Sequence, residues 1–410
     1  MRVRISKNIR FELILITVWM LFAASSACAD EWPQWRGPKR DGVSSEKGLL
    51  QSWGANGPEL IQTISDIGKG CSSPIIAGGK IFISGHVDQN QILFCFSLDG
   101  KKLWQFNNGP FRSARFGAQG SALVDGGLVY ILSEVGRLAA IDFTTGRELW
   151  KRSLSDFKAP LPKFKYADSL LVHKNMLICQ PGGAEAAVAG LDKKTGKTIW
   201  KSSGLDDTMA YCSGIVANIQ GVDQFLSLSD IGLISIDVSN GKLLWRYDSP
   251  FGKARNSLTP IVWREKVFAD SGRKGAHAIV EIRKEGHALK AVPLMRSKKE
   301  KSHLGGFAVR QSRIYGHNGD GWICIDLENA KVLHFNKEIT NGSTIYADNR
   351  FYSLSDRGVM YLIEADEKAS RIMSRFTIPN AGQQTWARPA ISDGRLYLRR
   401  ADKIFVYAIR

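Results

Sequence analysis

Short alternating apolar runs dominate this chain, and they return in a fixed order. Leu138 and Ala140 alternate up to Asp142, then Thr144, Thr145 and Gly146 turn the chain, and Glu148, Leu149 and Trp150 open a second run. A period of two predicts strands, and a Thr-Gly turn between two such runs predicts a β-hairpin with a large aromatic just past the turn. The device recurs from Asp192 to Trp200 and from Asp237 to Trp245, and in shortened form before Trp104. The tryptophans are 46, 50 and 45 residues apart. That period, filled by about four short strands, predicts a propeller blade.

The rest of each unit aligns on these anchors. Residues 73–84 and 121–132 each read as a short strand, a glycine turn and an apolar strand. Later units drift: Leu289 takes the Trp place in the fifth, and His334 falls near it in the sixth. The last unit, from Arg388 to Ile409, has only three strands. An open sheet edge invites aggregation, so a ring needs closing. The run Glu59–Ser65 is therefore expected to supply the missing strand. The predicted fold is all-β, an eight-bladed propeller of four-stranded antiparallel blades over residues 59–410, with one blade built from both chain ends.

Before the ring come two other segments. Residues 1–29 have a basic start (Arg2, Arg4, Lys7, Arg10), an apolar run from Leu13 to Ala24, and Ala27-Cys28-Ala29 before Asp30. This predicts an export signal cut after Ala29 and a periplasmic or envelope location. A retained anchor and lipid attachment at Cys28 are the alternatives. No other stretch is apolar and long enough to span a bilayer. Residues 30–58 form an irregular lead carrying Trp32, Trp35, Arg36, Arg40 and Trp53. Its prolines and glycines exclude a regular element. Its aromatic and basic side chains are expected to cover one face of the ring or plug its hole, with ligand binding by Trp32, Trp35 and Arg36 as the sharper alternative.

Charge and cysteine content refine this only slightly. The 410-residue chain has a formal net charge of +17; residues 1–29 hold four bases and one acid, leaving +14 for the remainder. Such a surface favours an anionic envelope component or an acidic protein face, while export argues against nucleic acid. The stretch Glu281–Lys301 concentrates Arg283, Lys284, Lys290, Arg296, Lys298, Lys299 and Lys301. It reads as a solvated outer strand, or as a docking patch. Five cysteines (71, 95, 179, 212, 324) follow the leader without a C-x-x-C pair. They read as small strand-filling residues, although Cys71 and Cys95 share a unit and could pair.

The pattern of Ala140, Asp142, Thr145, Gly146 and Trp150, matched at Asp192, Thr195, Gly196 and Trp200 and at Asp237, Gly241 and Trp245, resembles the tryptophan-docking repeat of quinoprotein-type propellers. The opening Trp35, Arg36, Gly37, Pro38, Arg40, Asp41 and Gly42 resembles exported PQQ-like repeat proteins of bacteria. The resemblance covers about residues 31–410. It implies structural roles for these residues: Trp104, Trp150, Trp200 and Trp245 each dock on a neighbouring blade, and the Asp and Thr tie the turn. Two activities are compatible with it. Quinoprotein dehydrogenases hold pyrroloquinoline quinone (PQQ) and calcium in the funnel. The outer-membrane-assembly propeller lipoprotein scaffolds partners without chemistry. This chain has no adjacent cysteine pair and no clear Glu, Asn, Asp set for calcium, so no cofactor is expected.

No H-E-x-x-H, G-x-S-x-G or phosphate-loop signature occurs, and no catalytic residue is nominated. Blade topology places the start of each first strand and the end of each second strand on one face, expected to open into the funnel. The candidates there are Lys69, His86, Arg115, Tyr166, Glu185, Tyr211, Asn256, His303, His317 and Trp386. His303 and His317 could share a metal, but without a carboxylate partner no metal site is assigned. The reading is a monomeric, exported, non-catalytic binding or scaffold protein with a protein or anionic envelope partner. A PQQ-dependent alcohol or sugar dehydrogenase and a carbohydrate-binding protein or lyase are the alternatives.

Overall fold

The start and the finish of the ring meet in one sheet. Strand β1 (Leu60–Ile64) pairs with β32 (Lys403–Ala408), which continues through β31 (Arg395–Arg400) to β30 (Ala390–Ser392). This computed structural model describes residues 31–111, 117–162, 165–248, 256–272, 277–297, 306–379 and 385–410. The expected leader, its expected cleavage site and Cys28, together with Arg115, Lys298, Lys299, Lys301 and His303, lie outside them.

The other seven blades run in simple order. Blade 1 is β2 (Ile75–Ala77), β3 (Lys80–Val87), β4 (Asn90–Ser97) and β5 (Lys102–Pro110). Blade 2 is β6 (Leu123–Asp125), β7 (Leu128–Leu132), β8 (Arg137–Asp142) and β9 (Glu148–Ser153). Blade 3 is β10 (Leu171–His173), β11 (Met176–Cys179), β12 (Ala189–Asp192) and β13 (Thr198–Lys201). Blade 4 is β14 (Ile215–Ile219), β15 (Val222–Leu228), β16 (Leu233–Asp237) and β17 (Leu243–Tyr247). Blade 5 is β18 (Ile261–Trp263), β19 (Lys266–Asp270), β20 (His277–Glu285) and β21 (Ala288–Ser297). Blade 6 is β22 (Ala308–Arg310), β23 (Arg313–His317), β24 (Trp322–Asp326) and β25 (Lys331–Asn336). Blade 7 is β26 (Gly342–Ala347), β27 (Arg350–Ser355), β28 (Val359–Ala365) and β29 (Ser370–Thr377). Each is one antiparallel four-stranded sheet, so the fold is all-β with eight blades, as expected.

One row of residues crosses every blade in the same register. In blade 1 it is Ile75, Phe82, Cys95 and Trp104; in blade 2, Leu123, Tyr130, Ala140 and Trp150. The third member is small wherever a Trp is opposite: Cys95, Ala140, Gly190 and Ser235. A Cβ on Gly190 would stand 2.6 Å from the Trp200 ring, so the indole occupies the room that a side chain would need.

The outermost strand bulges beside that row in all eight blades. The residue pushed out of the ladder is Ile61, Leu103, Leu149, Ile199, Leu244, Leu294, Leu333 or Met373. Six of these are exposed large apolar side chains. A bulge kinks an edge and breaks its hydrogen-bonding row, which discourages pairing with another sheet. The register also corrects the fifth unit. Met295, paired with Ile279, stands in the Trp place, whereas Leu289 faces Lys284 near the tip of a longer β20–β21 hairpin.

The core lies between blades. Ile75, Phe82, Leu93 and Cys95 of blade 1 pack on Ala122, Val129, Ile131, Ala139 and Ile141 of blade 2. Tryptophans fasten these interfaces. The Trp104, Trp150 and Trp200 indoles donate to the carbonyls of Phe143 (3.3 Å), Lys193 (3.1 Å) and Val238 (2.8 Å) in the next blade. Gly146, Gly196 and Gly241, all at positive φ, give those rings a surface without Cβ. Asp142 Oδ1 holds the turn by accepting from the Thr145 amide and hydroxyl, both at 2.7 Å, and Asp192 does the same with Thr195. Trp245 departs from the pattern and donates to Gln224 Oε1 of its own blade at 2.8 Å. His334 keeps it without an indole, its Nε2 lying 3.0 Å from the Asp366 carbonyl.

Candidate functional site

The lead closes the hole. The innermost strand of a propeller blade has an unpaired edge facing the axis, and backbone groups left there need partners. Trp32 exchanges two backbone hydrogen bonds with Ile76 of β2 (2.8 and 3.0 Å), and the Pro33 carbonyl accepts from Val124 of β6. The chain then crosses the axis. On the far side Tyr346 of β26 donates to the Gly42 carbonyl, and Ser44 donates to Tyr346, both at 2.8 Å. The expectation of a plug therefore holds, and the inner edges supply its physical reason.

Two arginines pin the plug from the inside. Arg40 donates to the carbonyls of Leu170 (2.7 Å) and Ser169 (2.9 Å) in blade 3. Arg36 donates to Phe307 of blade 6 (2.6 Å) and to its own loop at Arg40 and Asp41 (2.9 Å each). Both are buried and both adopt a left-handed backbone. Burial lowers each guanidinium to about 10, still protonated at neutral pH. Gly37, at φ 81°, brings the loop within 2.9 Å of the Trp32 ring at its missing Cβ.

Above the plug remains a cavity of about 100 Å³. Trp35 is its floor, and Cys71, Gln119, Tyr211, Trp386 and Arg388 are among its walls. Arg388, Arg36 and Arg40 surround the Trp35 ring, with guanidinium carbons 4.7, 5.6 and 5.6 Å from its centre. Hydroxyls tie the rim from blade to blade. Ser73, Ser121 and Ser169 donate their amides to the hydroxyls of Ser121, Ser169 and Ser213, and the Arg388 amide donates to Ser73.

Of the ten funnel candidates, Tyr211 and Trp386 line this cavity. Arg115 and His303 fall outside the described residues. The other six are drawn elsewhere. Lys69 and His86 bridge each other through their backbones, and the imidazole stacks on Phe111 at 4.2 Å. Tyr166 is buried in a core cluster with Leu154 and Phe157 and donates its hydroxyl to the Pro181 carbonyl at 2.8 Å. Glu185 sits at the outer rim, paired with Lys158 (2.9 Å) and Lys201 (3.2 Å). The buried Asn256 donates to the Ser229 carbonyl at 2.6 Å. His317 is buried and accepts the Gly319 amide at its Nδ1. Strand topology gives the face of the disc but not the radius, so rim and axis were merged in the sequence pattern.

The sequence also missed Arg388 and Gln119, which carry no local signal. Among the described residues no group of three or more His, Cys, Asp or Glu side chains could hold a metal ion, and no helix is long and apolar enough to cross a membrane. None of the five described cysteines is disulfide-bonded, so Cys71 and Cys95 do not pair. In the basic hairpin, Arg283 pairs with Glu281 at 2.5 Å and Lys290 with Glu285 at 3.4 Å.

Known proteins of similar sequence or shape include quinoprotein dehydrogenases and an outer-membrane-assembly propeller. Quinohemoprotein alcohol dehydrogenase ADH IIB of Pseudomonas putida is 29% identical over 140 residues, 32% of this chain and 19% of that enzyme. The match thus spans about a fifth of the curated relative's length. BamB from Moraxella catarrhalis superposes with a TM-score of 0.59 at 16% identity, covering 86% of this chain and 98% of that one. The quinohemoprotein alcohol dehydrogenase of Comamonas testosteroni gives 0.67 at 11% identity, covering 92% and 80%. At such identities the likeness shows the fold, and fold alone does not fix activity. The family model described as outer membrane protein assembly factor BamB matches residues 43–160 and 89–335. These segments span most of the ring, and the chain belongs to that family of PQQ-like repeat propellers.

Proposed function

We propose that this chain is an exported binding or scaffold propeller with no chemistry of its own, which presents its blades to a protein partner or an anionic envelope component. The observation that carries this reading is the plugged axis. Trp32, Arg36 and Arg40 bind the lead to blades 1, 3 and 6 and leave about 100 Å³ above Trp35. Small-molecule sites usually offer roughly 300–1,000 Å³, and calcium takes six to eight oxygen ligands. So small a cavity supports a reading without a tricyclic quinone and its calcium. Membership in a family described by an assembly factor supports the same reading.

The test is a titration of the full chain with PQQ and calcium, read by absorbance and melting temperature, beside cross-linking in the cell envelope. The expected result is no melting shift at saturating quinone and a specific cross-linked partner. Tight quinone binding with alcohol oxidation would overturn it and establish the second reading, a quinone-dependent dehydrogenase. That reading draws on the 140-residue similarity to ADH IIB.

A further inference from the structure

The rim of the disc is both cationic and apolar. The outermost strands of the eight blades together hold ten lysines and arginines against a single acid, Glu148. The strands paired to them hold seven acids against four lysines and arginines, so the bias belongs to the edge. The same outermost strands carry nine of the eleven exposed large apolar side chains among the described residues. The two kinds of residue sit together: Leu149 is two places before Lys151, Ile199 two before Lys201, and Leu294 two before Arg296.

Edge protection accounts for only part of this. Charges and bulges keep a sheet edge from pairing with another, but charge of either sign serves that purpose, and an exposed aliphatic beside it works against it. The bias is densest over blades 6 and 7. Strand β25 exposes Val332 and Phe335 beside Lys331, and β29 exposes Met373 between Arg371 and Arg375. The two strands meet where Asn336 Nδ2 donates to the Ser370 carbonyl at 3.1 Å. Lys331, Arg371 and Arg375 form no ion pair among the described residues. The acids of the adjoining strands and turn are already committed. Glu364, opposite Arg371, pairs with Arg350 (3.1 Å), and Glu367 pairs with Arg313 (2.6 Å). Asp326, opposite Lys331, and Asp366 each accept amides of their own turns.

We propose that the rim docks on an anionic phospholipid surface through the arc of blades 6 and 7. The three cations meet lipid phosphates, and Val332, Phe335 and Met373 enter the boundary between headgroups and acyl chains. Basic and apolar side chains side by side are what an anionic bilayer binds. A hydrated polysaccharide has no acyl layer for Val332 and Met373. A protein partner is held by a focal cluster of anchors, whereas here cation and aliphatic recur from blade to blade, and a lipid surface has no register to match. The site rests on the reading of the chain as an exported binding propeller and names the envelope component that it takes.

The experiment places an environment-sensitive dye on Met373→Cys in the full chain, with Cys28→Ser so that the leader is not labelled. The chain is titrated with vesicles of phosphatidylcholine alone or mixed with phosphatidylglycerol, both carrying brominated acyl chains as quenchers. Quenching is expected in the anionic vesicles only, and it should weaken as salt rises. Arg371→Glu with Arg375→Glu should lower the apparent affinity roughly tenfold or more. The same dye on Leu161→Cys, exposed but off the outermost strands, should stay unquenched. These positions are all exposed, so each variant should melt as the parent does. Equal quenching in neutral vesicles, equal quenching at position 161, or a signal unmoved by the two charge reversals would overturn the proposal. A rim that cross-links to an acidic protein and shows no lipid quenching would also overturn it, while leaving the scaffold reading standing. Quinone binding with alcohol oxidation would sink that reading even where quenching persists.

Discussion

Arg399 and Arg400 are neighbours on β31 whose guanidiniums serve opposite blades. Successive strand side chains point to opposite faces. Arg399 reaches blade 1, donating to Ser72 Oγ and the Ser84 carbonyl (2.6 Å each) and to the Gly68 carbonyl (2.9 Å). Arg400 reaches blade 7, donating to the carbonyls of Ile378 (2.9 Å) and Arg357 (3.1 Å). Both are buried. They lock the composite blade to its neighbours, at the one place where the ring closes without chain continuity.

Arg399→Met should therefore destabilise the whole ring. It removes several charged hydrogen bonds to buried acceptors, each worth about 1.5–3 kcal/mol, so a loss of about 3 kcal/mol or more is expected in denaturant unfolding. Arg147→Met, on an exposed turn residue, should stay within about 0.5 kcal/mol. Equal midpoints for the two variants would show that Arg399 does not hold the closure.

The docking turns predict a contrast between two glycines with similar backbones. Gly127 (φ 80°) has nothing within 4 Å of an added Cβ, whereas that of Gly146 (φ 73°) would lie 2.7 Å from the Trp104 ring. Gly127→Ala should cost only the left-handed strain, about 1–2 kcal/mol. Gly146→Ala should cost about 1–3 kcal/mol more through overpacking. Chemical denaturation of both variants measures the difference, and matching values would remove the ring contact from the account.

Two buried groups oppose each other in mildly acidic solution. Asp168 is pushed up from 3.8 to about 6, mainly by burial, against smaller opposing effects of Gln180 and the Arg40 charge. Its folded state holds the proton more tightly than the unfolded chain, so this contribution is full below pH about 4 and is lost as pH rises through about 6. Burial pulls His277 down from 6.5 to about 4. Its contribution is full above pH 6.5 and is lost as pH falls through about 4. Asp168→Asn should remove the first slope, worth about 3 kcal/mol by the size of the shift. Melting temperature should then rise more steeply between pH 4 and 6 than in the parent. An unchanged profile would show that Asp168 titrates normally.

The five described cysteine thiols should be inert in the native state. Burial raises Cys71, Cys212 and Cys324 to about 11 and Cys95 to about 12, and the thiolate is the reactive form. A disulfide reagent at pH 8 should label the unfolded chain rapidly and the folded one slowly. Rapid native labelling would contradict this burial.

The repeat was legible because it is local. Trp104, Trp150 and Trp200 sit one turn beyond their hairpins, and the interval between them measures the blade. His334 could be placed near the Trp position but not given its hydrogen bond, because the accepting Asp366 carbonyl is 32 residues away in another blade. Leu289 falls at the Trp place by residue count because a longer hairpin shifts the interval, and only strand pairing puts Met295 there. The apolar bulge common to all eight outer strands escaped notice for the same reason.

The sequence alone determined the all-β class, the eight units and the closure by Leu60–Ile64, since alternation, turn chemistry and spacing are properties of neighbouring residues. It also marked the lead as something that must cover or fill the ring. Only the tertiary structure decided what lies on the axis. Trp35 belongs to the lead, Gly306 to blade 6 and Arg388 to blade 8, and ring closure brings them together across hundreds of residues. Charge burial at Arg36, Arg40 and Arg388 exists only once those distant segments have met and excluded water.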